Sequence, residues 1–174
     1  MDLPRKTPTD ATLPGSNPVE KQLTQTFTST EGWYKLEYPR VWEMEVIDNI
    51  PSFFDPFFGN GAVQTFCVKT GTQPMDAKMR DNFPFLNGKT LIDKMNLFLF
   101  SQQINVANTD FKVYNRDDVS YIPFEYEQEG RFFMVILMEK NNLVLLALYN
   151  SQQTPNKEEA LIISNIIQSV EFID

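Results

Sequence analysis

The run Leu143-Val144-Leu145-Leu146-Ala147-Leu148 is apolar at every position. Successive residues of a strand point to opposite sides, so an extended chain here would have no face left for water. Such a strand belongs in the middle of a sheet covered on both sides. The rest of the chain has to supply the neighbouring strands and the covering layers.

Neighbouring strands are legible in the sequence that precedes the run. Tyr34, Leu36 and Tyr38 alternate with Lys35 and Glu37, and Trp42, Met44 and Val46 alternate with Glu43 and Glu45, the period of half-buried strands. Pro39 separates the two. Residues 50–56 add a short strand, and Gly59-Asn60-Gly61 turns the chain into another from Ala62 to Lys69, since glycine and asparagine accept positive backbone dihedrals. This region reads as a three- or four-stranded antiparallel meander. Further on, Phe111 and Val113 start a strand, Ile122, Phe124 and Tyr126 mark a second, and Phe132, Met134, Ile136 and Met138 a third. Gln128-Glu129-Gly130 and Asn141-Asn142 are the turns that join these last strands to each other and to the central run.

Two segments carry the helical period instead. Leu91, Ile92, Met95, Phe98 and Leu99 form a stripe at spacings of three and four, with Thr90 as N-cap and Asp93 near the positive helix end, predicting a helix over 91–103. After Pro155, Glu158 and Glu159 suit a first helical turn. Leu161, Ile162, Ile166 and Ile167, with Ile163 beside them, supply the buried face of a helix ending near Gln168. Val170 to Ile173 then form a short tail or strand. A shorter helix near residues 75–80 fits the middle crossover, where Pro84, Asn87 and Gly88 prevent continuous structure. The first 22 residues, rich in Pro, Gly, Ser and Asn towards their end, read as a flexible N-terminal arm, and 23–174 as a single α+β domain with a mainly antiparallel twisted sheet and flanking helices.

Read together, the Gly-Trp-Tyr-Lys-Leu-Glu-Tyr-Pro start, the Phe-Phe-Asp-Pro-Phe-Phe-Gly-Asn-Gly-Ala turn, the middle helix, the second meander and the closing Ser169-Val170-Glu171-Phe172-Ile173 resemble the Mog1/PsbP-like superfamily. In particular the chain resembles its uncharacterised bacterial members, over residues 27–174. That superfamily includes a Ran-binding nuclear transport protein, photosystem II extrinsic proteins, bacterial lipoproteins and secretion chaperones. The resemblance implies an adaptor or binding scaffold without fixing the partner. The N-terminal lipobox cysteine of a lipoprotein member is absent from this sequence.

Composition narrows the chemistry. The 174 residues suit one substantial core, and 15 Phe, 6 Tyr and 2 Trp supply much of its volume. A net charge of −8, with Glu31, Glu37, Glu43, Glu45, Asp48 and Asp55 facing only Lys35 and Arg40 in residues 31–60, repels phosphate backbones and anionic membranes. Nucleic acid and membrane insertion are therefore disfavoured, with Lys78, Arg80 and Lys89 the one local basic patch. Without an apolar signal core or a stretch of at least about 18 apolar residues, the cytoplasm is the default compartment. A missing or processed export signal would leave no trace.

Histidine is absent, which removes the usual base for a serine or cysteine nucleophile. Cys67 is the single cysteine and lies in a strand pattern, so it reads as a small buried side chain, and no disulfide or cysteine-rich metal site can form within the chain. No lysine-bearing phosphate loop accompanies Gly59-Asn60-Gly61. No cofactor or metal is called for. The remaining catalytic alternative is a carboxylate-dependent hydrolase or metal-assisted enzyme using Asp117, Asp118, Glu125 and Glu127, set against the plainer reading of a hydrated loop and outward strand face.

The leading functional reading is a noncatalytic protein-binding or adaptor domain. Phe53, Phe54, Phe57 and Phe58 flank Asp55-Pro56 and concentrate four rings in one turn, with Trp33 and Tyr34 as further candidate contacts. Core packing of these rings is the competing reading. Carboxylates around them favour a neutral or basic partner. A third reading is an oligomeric structural protein, associating through a sheet edge or aromatic patch.

Overall fold

The structure, a computed structural model, describes residues 23–70, 81–105 and 109–173. The expected N-terminal arm, the expected helix near residues 75–80, and Lys78 and Arg80 lie outside them. In chain order the elements are β1 (Thr24–Thr28), β2 (Tyr34–Pro39), β3 (Glu43–Ile47), β4 (Ile50–Phe54), β5 (Gly61–Lys69), a short 3-10 turn (Pro84–Asn87), α1 (Leu91–Ser101), β6 (Tyr114–Arg116), β7 (Val119–Gln128), β8 (Arg131–Lys140), β9 (Leu143–Ser151), α2 (Lys157–Gln168) and β10 (Glu171–Phe172). The strands form a seven-stranded sheet in the order β3-β4-β5-β9-β8-β7-β6 and a three-stranded sheet in the order β1-β2-β10. Every pairing is antiparallel.

The fully apolar run became β9, the middle strand of the large sheet. Its Leu143, Leu145, Ala147 and Tyr149 join one buried cluster with Tyr34, Leu36, Phe172 and the α2 residues Ile163, Ile166 and Ile167. Val144, with half-buried Leu146 and Leu148, joins a second cluster on the opposite face with Leu91, Met95, Phe98 and Leu99 of α1. The sheet is thus covered on one side by α2 and the small sheet and on the other by α1. Each fully buried aliphatic side chain of this kind contributes about 1.5–3 kcal/mol through its removal from water.

Local chemistry explains most boundaries. Thr90 accepts a hydrogen bond from the Asp93 N–H while the Asp93 carboxylate accepts one from the Thr90 N–H, closing a capping box on α1. Asn156 caps α2 by accepting from the Glu159 N–H. Glu129 and Gly130 both have positive φ at the β7–β8 hairpin, and so do Asp48 and Asn49 between β3 and β4. Positive φ at both positions is what the common two-residue hairpin needs.

Several expectations change in the structure. The first meander has three strands, within the expected three or four, but they are β3-β4-β5, and β2 pairs instead with β1 and β10 in the small sheet. Trp42 is 3% exposed, but Met44 and Val46 on the same side are 38% and 56% exposed, since β3 runs out from under its cover. Phe111 is buried but precedes the strand, which starts only at Tyr114. The middle helix ends at Ser101, and Gln103 has left the helix with a φ of 62°. On α2 the buried stripe is Glu159, Ile163, Ile166 and Ile167, and Leu161 is exposed. Gly61 is needed for close approach and not for a positive φ, because a Cβ there would lie 2.2 Å from the Asn150 carbonyl oxygen across the β5–β9 pair.

Candidate functional site

The two phenylalanine pairs are separated by Asp55-Pro56 and end in different environments. Phe53 lies in β4, opposite Met44 on one side and Val63 on the other, and its face looks into the α2-side core. It is fully buried, with its ring 5.3 Å from Phe27 and 4.9 Å from Tyr38. Phe54 points to the opposite face and is half-buried. The sheet pairing then ends. Asp55 Oδ1 accepts hydrogen bonds from the Phe57 and Phe58 N–H groups at 2.9 and 3.1 Å, the local turn that aspartate makes with its own backbone. This turn carries both rings into solvent, 80% and 88% exposed, with their centroids 6.4 Å apart.

A buried anchor holds the far side of this loop. Glu159 accepts from the Asn60 N–H at 3.1 Å and from the Asn60 side-chain amide at 3.2 Å. The Tyr149 hydroxyl donates to the same carboxylate at 3.0 Å. Burial and its carboxylate neighbour push the Tyr149 hydroxyl up to about 12, so it remains a donor throughout the neutral range. A carboxylate in the first turn of α2 also meets the positive helix end. The sequence signal for this anchor was available, because Glu159 stands four residues before Ile163 on the buried stripe.

Between the loop and the start of α2 lies a pocket of about 240 Å³ lined by Val41, Trp42, Asp55, Phe58, Gly59, Asn156, Glu158, Glu159 and Ile162. It carries three carboxylates and no lysine or arginine. That volume is below the roughly 300–1,000 Å³ of most small-molecule sites and suits a single side chain. Trp42 Nε1 is the one buried side-chain nitrogen or oxygen without a hydrogen-bond partner among the described residues.

The other ring candidates do not join this site. Tyr34 is a core residue whose hydroxyl lies 2.6 Å from Thr65 Oγ1, and burial pushes it up to about 12, so it is withdrawn as a contact. Phe53 is withdrawn for the same reason. Trp33 is half-buried at the start of β2, whereas the pocket lies past the other end of that strand at Val41 and Trp42. Burial also pushes the Cys67 thiol up to about 12, in keeping with an inert strand residue.

The four carboxylates of the catalytic alternative are not brought together. Asp117 and Asp118 form the β6–β7 turn, while Glu125 and Glu127 stand opposite Met134 and Phe132 farther along β7. Seven residues of strand between Asp118 and Glu125 span about 23 Å. All four are exposed. Asp117 and Asp118 border a cleft of about 440 Å³ at the C-terminal end of α2. Its cations are engaged locally: Arg116 donates to the Gln168 and Val170 carbonyls at 2.5 and 3.2 Å, and Lys140 lies 3.2 Å from Asp118. Among the described residues no group of three or more Cys, Asp or Glu side chains is arranged to hold a metal ion. No helix among them is long and apolar enough to cross a membrane.

A large antiparallel sheet, with one helix on one face and a helix plus a small sheet on the other, gives this α+β protein a Mog1/PsbP-like architecture. The solution structure of the cyanobacterial PsbP protein CyanoP from Synechocystis sp. PCC 6803 matches it with a TM-score of 0.59 over 90% of this chain and 96% of that one, at 10% identity. A Bacteroides thetaiotaomicron VPI-5482 protein, solved by crystallography at 1.50 Å, matches with a TM-score of 0.51 over 88% of this chain at 16% identity. This chain spans about half of that protein, 49% of its length. Both likenesses are ones of fold. No protein-family model matches the chain, and no curated protein matches it in sequence.

Proposed function

We propose that the chain is a noncatalytic protein-binding or adaptor domain whose contact surface is the Phe57-Phe58 loop and the adjoining acidic pocket. The observation that carries this reading is a contrast within one turn: two rings are held almost fully in water by a loop pinned at Asp55 and Glu159. Exposing two phenylalanines costs solvation free energy that burial against a partner recovers, about 1.5–3 kcal/mol for each ring fully covered. Because hydrogen bonds to Asp55 and Glu159 already hold the loop, less conformational entropy is lost on docking than from an untethered loop. The three pocket carboxylates and the net charge of −8 favour a neutral or basic partner and disfavour nucleic acid.

The test is affinity capture from native cells with the unmodified chain and with a Phe57→Ser/Phe58→Ser double variant, followed by reconstitution from purified components. The expected result is a saturable one-to-one complex weakened at least about tenfold by the double variant, the size expected when aromatic anchors are lost. A reconstituted complex of unchanged affinity would remove the loop from the interface and overturn the reading.

A further inference from the structure

The backbone of β3 offers a second recognition element beside the pocket. Asp48 and Asn49 make a two-residue hairpin closed by Ile47 and Ile50, which in such a turn is a hydrogen-bonded pair. Hydrogen-bonded and non-hydrogen-bonded pairs alternate along an antiparallel ladder. Glu45 with Ser52 and Glu43 with Phe54 are therefore bonded, whereas Met44 with Phe53 and Val46 with Pro51 are not. Pro51, which has no N–H to donate, fits that assignment. The N–H and C=O groups of Met44 and Val46 consequently point away from β4, to the side where no described strand pairs with β3.

The side chains of this edge sort by face. Trp42, Met44 and Val46 lie on the α2 side, where Met44 and Val46 are open to solvent. Glu43 and Glu45 lie on the other side and, among the described residues, no ion pair engages either. The Glu43 end of the strand adjoins Trp42 and Val41, which wall the acidic pocket together with Phe58.

We infer that β3 receives an additional strand from a partner, an extended segment in which apolar and basic residues alternate. Its backbone bonds to Met44 and Val46. Its basic side chains lie opposite Glu43 and Glu45, its apolar ones cover Met44 and Val46, and its end enters the pocket beside Phe58. Backbone pairing supplies affinity and the alternating side chains supply selectivity. A second copy of the chain fits less well: self-pairings centred on Met44 or on Glu45 set glutamate opposite glutamate, which is unfavourable across a strand pair, and one centred on Val46 overlaps the strand only from Glu45 to Ile47. The inference rests on the protein-binding reading and deepens it.

The experiment measures fluorescence anisotropy of a labelled synthetic peptide alternating valine and lysine. Its controls are a valine–glutamate peptide and a peptide of the same valine–lysine composition in two blocks. The chain is expected to bind the alternating valine–lysine peptide at least about tenfold more tightly than either control. Val46→Pro, which removes an outward N–H without touching the β3–β4 bonds, is expected to weaken binding about tenfold, while Val46→Thr stays within about twofold. Glu43→Lys/Glu45→Lys tests the charge term independently of that proline and should reverse the preference between the lysine and glutamate peptides. Absent peptide binding, or an unchanged preference in the double lysine variant, overturns the inference and leaves the glutamates as guards of a bare edge. A concentration-dependent dimer abolished by Val46→Pro also overturns it, in favour of a second copy. Peptide binding that survives Phe57→Ser/Phe58→Ser but not Val46→Pro keeps the edge and removes the loop. The opposite pattern keeps the loop and removes the edge.

Discussion

The seven-stranded sheet is finished in opposite ways at its two ends. At the β6 end the edge strand is three residues long, Lys112 Nζ lies 5.0 Å from the Tyr114 ring centroid, Tyr114 stacks on Tyr121, and Arg116 and Lys140 are engaged by neighbouring carbonyls and by Asp118. Short, charged and locally satisfied edges resist further pairing. At the β3 end the edge is five residues long and exposed throughout, beside a pocket with carboxylates only and a loop with two rings in water. Under the proposed binding reading, a partner is recruited at the edge left apolar and acidic, on the β3 side and apart from the larger cleft on the β6 side.

The largest mutational effect should come from the anchor that shapes the open end. Glu159→Ala strands the Tyr149 hydroxyl and the Asn60 amide, and a loss of about 2–4 kcal/mol is expected from urea denaturation. A loss below about 0.5 kcal/mol would show that the loop stands without its floor.

Alkaline titration sharpens the same point. Tyr34 and Tyr149 have folded-state values raised to about 12 from 10.0, and Cys67 to about 12 from 9.0. Groups raised in the folded state stabilise it fully below their unfolded values and lose that contribution as pH rises through the folded ones. Stability should therefore hold through neutral pH and fall between pH 9 and 12, monitored by circular dichroism. Tyr149→Phe should flatten part of that fall. Cys67 should react with a thiol reagent at neutral pH far more slowly than a free peptide thiol.

Smaller effects are expected at the closed end. Arg116→Ala removes a cation from the carbonyl end of α2 and should cost about 1 kcal/mol, read from the same denaturation curves. Asp118→Ala removes the exposed partner of a half-buried ion pair with Lys140 and should cost less than about 1 kcal/mol. The smallest stability change belongs to Phe57→Ser/Phe58→Ser, within about 0.5 kcal/mol, although its effect on partner affinity should be about tenfold. A large destabilisation by that variant would mean that the rings pack on the protein and would erase the contrast between the two edges.

Particular residues show where a sequence reading reaches and where it stops. Thr90 and Asp93 announced α1, and Glu129-Gly130 announced a hairpin, because caps and turns are satisfied within a few residues of chain. The β2 strand was legible, but its sheet was not, since Tyr34, Leu36 and Tyr38 show that one face is buried and not which neighbour buries it. Phe53 and Phe58 look alike in sequence. Their opposite fates depend on where β4 loses its partner and where Asp55 turns the backbone. Glu159 was legible as a first-turn acid in register with Ile163, but the groups that let a carboxylate be buried there, Tyr149 on β9 and Asn60 in a loop far away in sequence, were not.

The sequence by itself determined the central strand, the two helices, the α+β class and the exclusion of histidine chemistry, because each follows from side-chain period or from composition. Only the tertiary structure decided that Met44 and Val46 lie beyond the cover of α2, that Phe57 and Phe58 stand in water, and that Asp117, Asp118, Glu125 and Glu127 stay apart. The physical reason is common to all three. Local pattern records which side chains prefer burial, whereas the supply of covering surface is set by strand order and register, which join residues far apart in the chain.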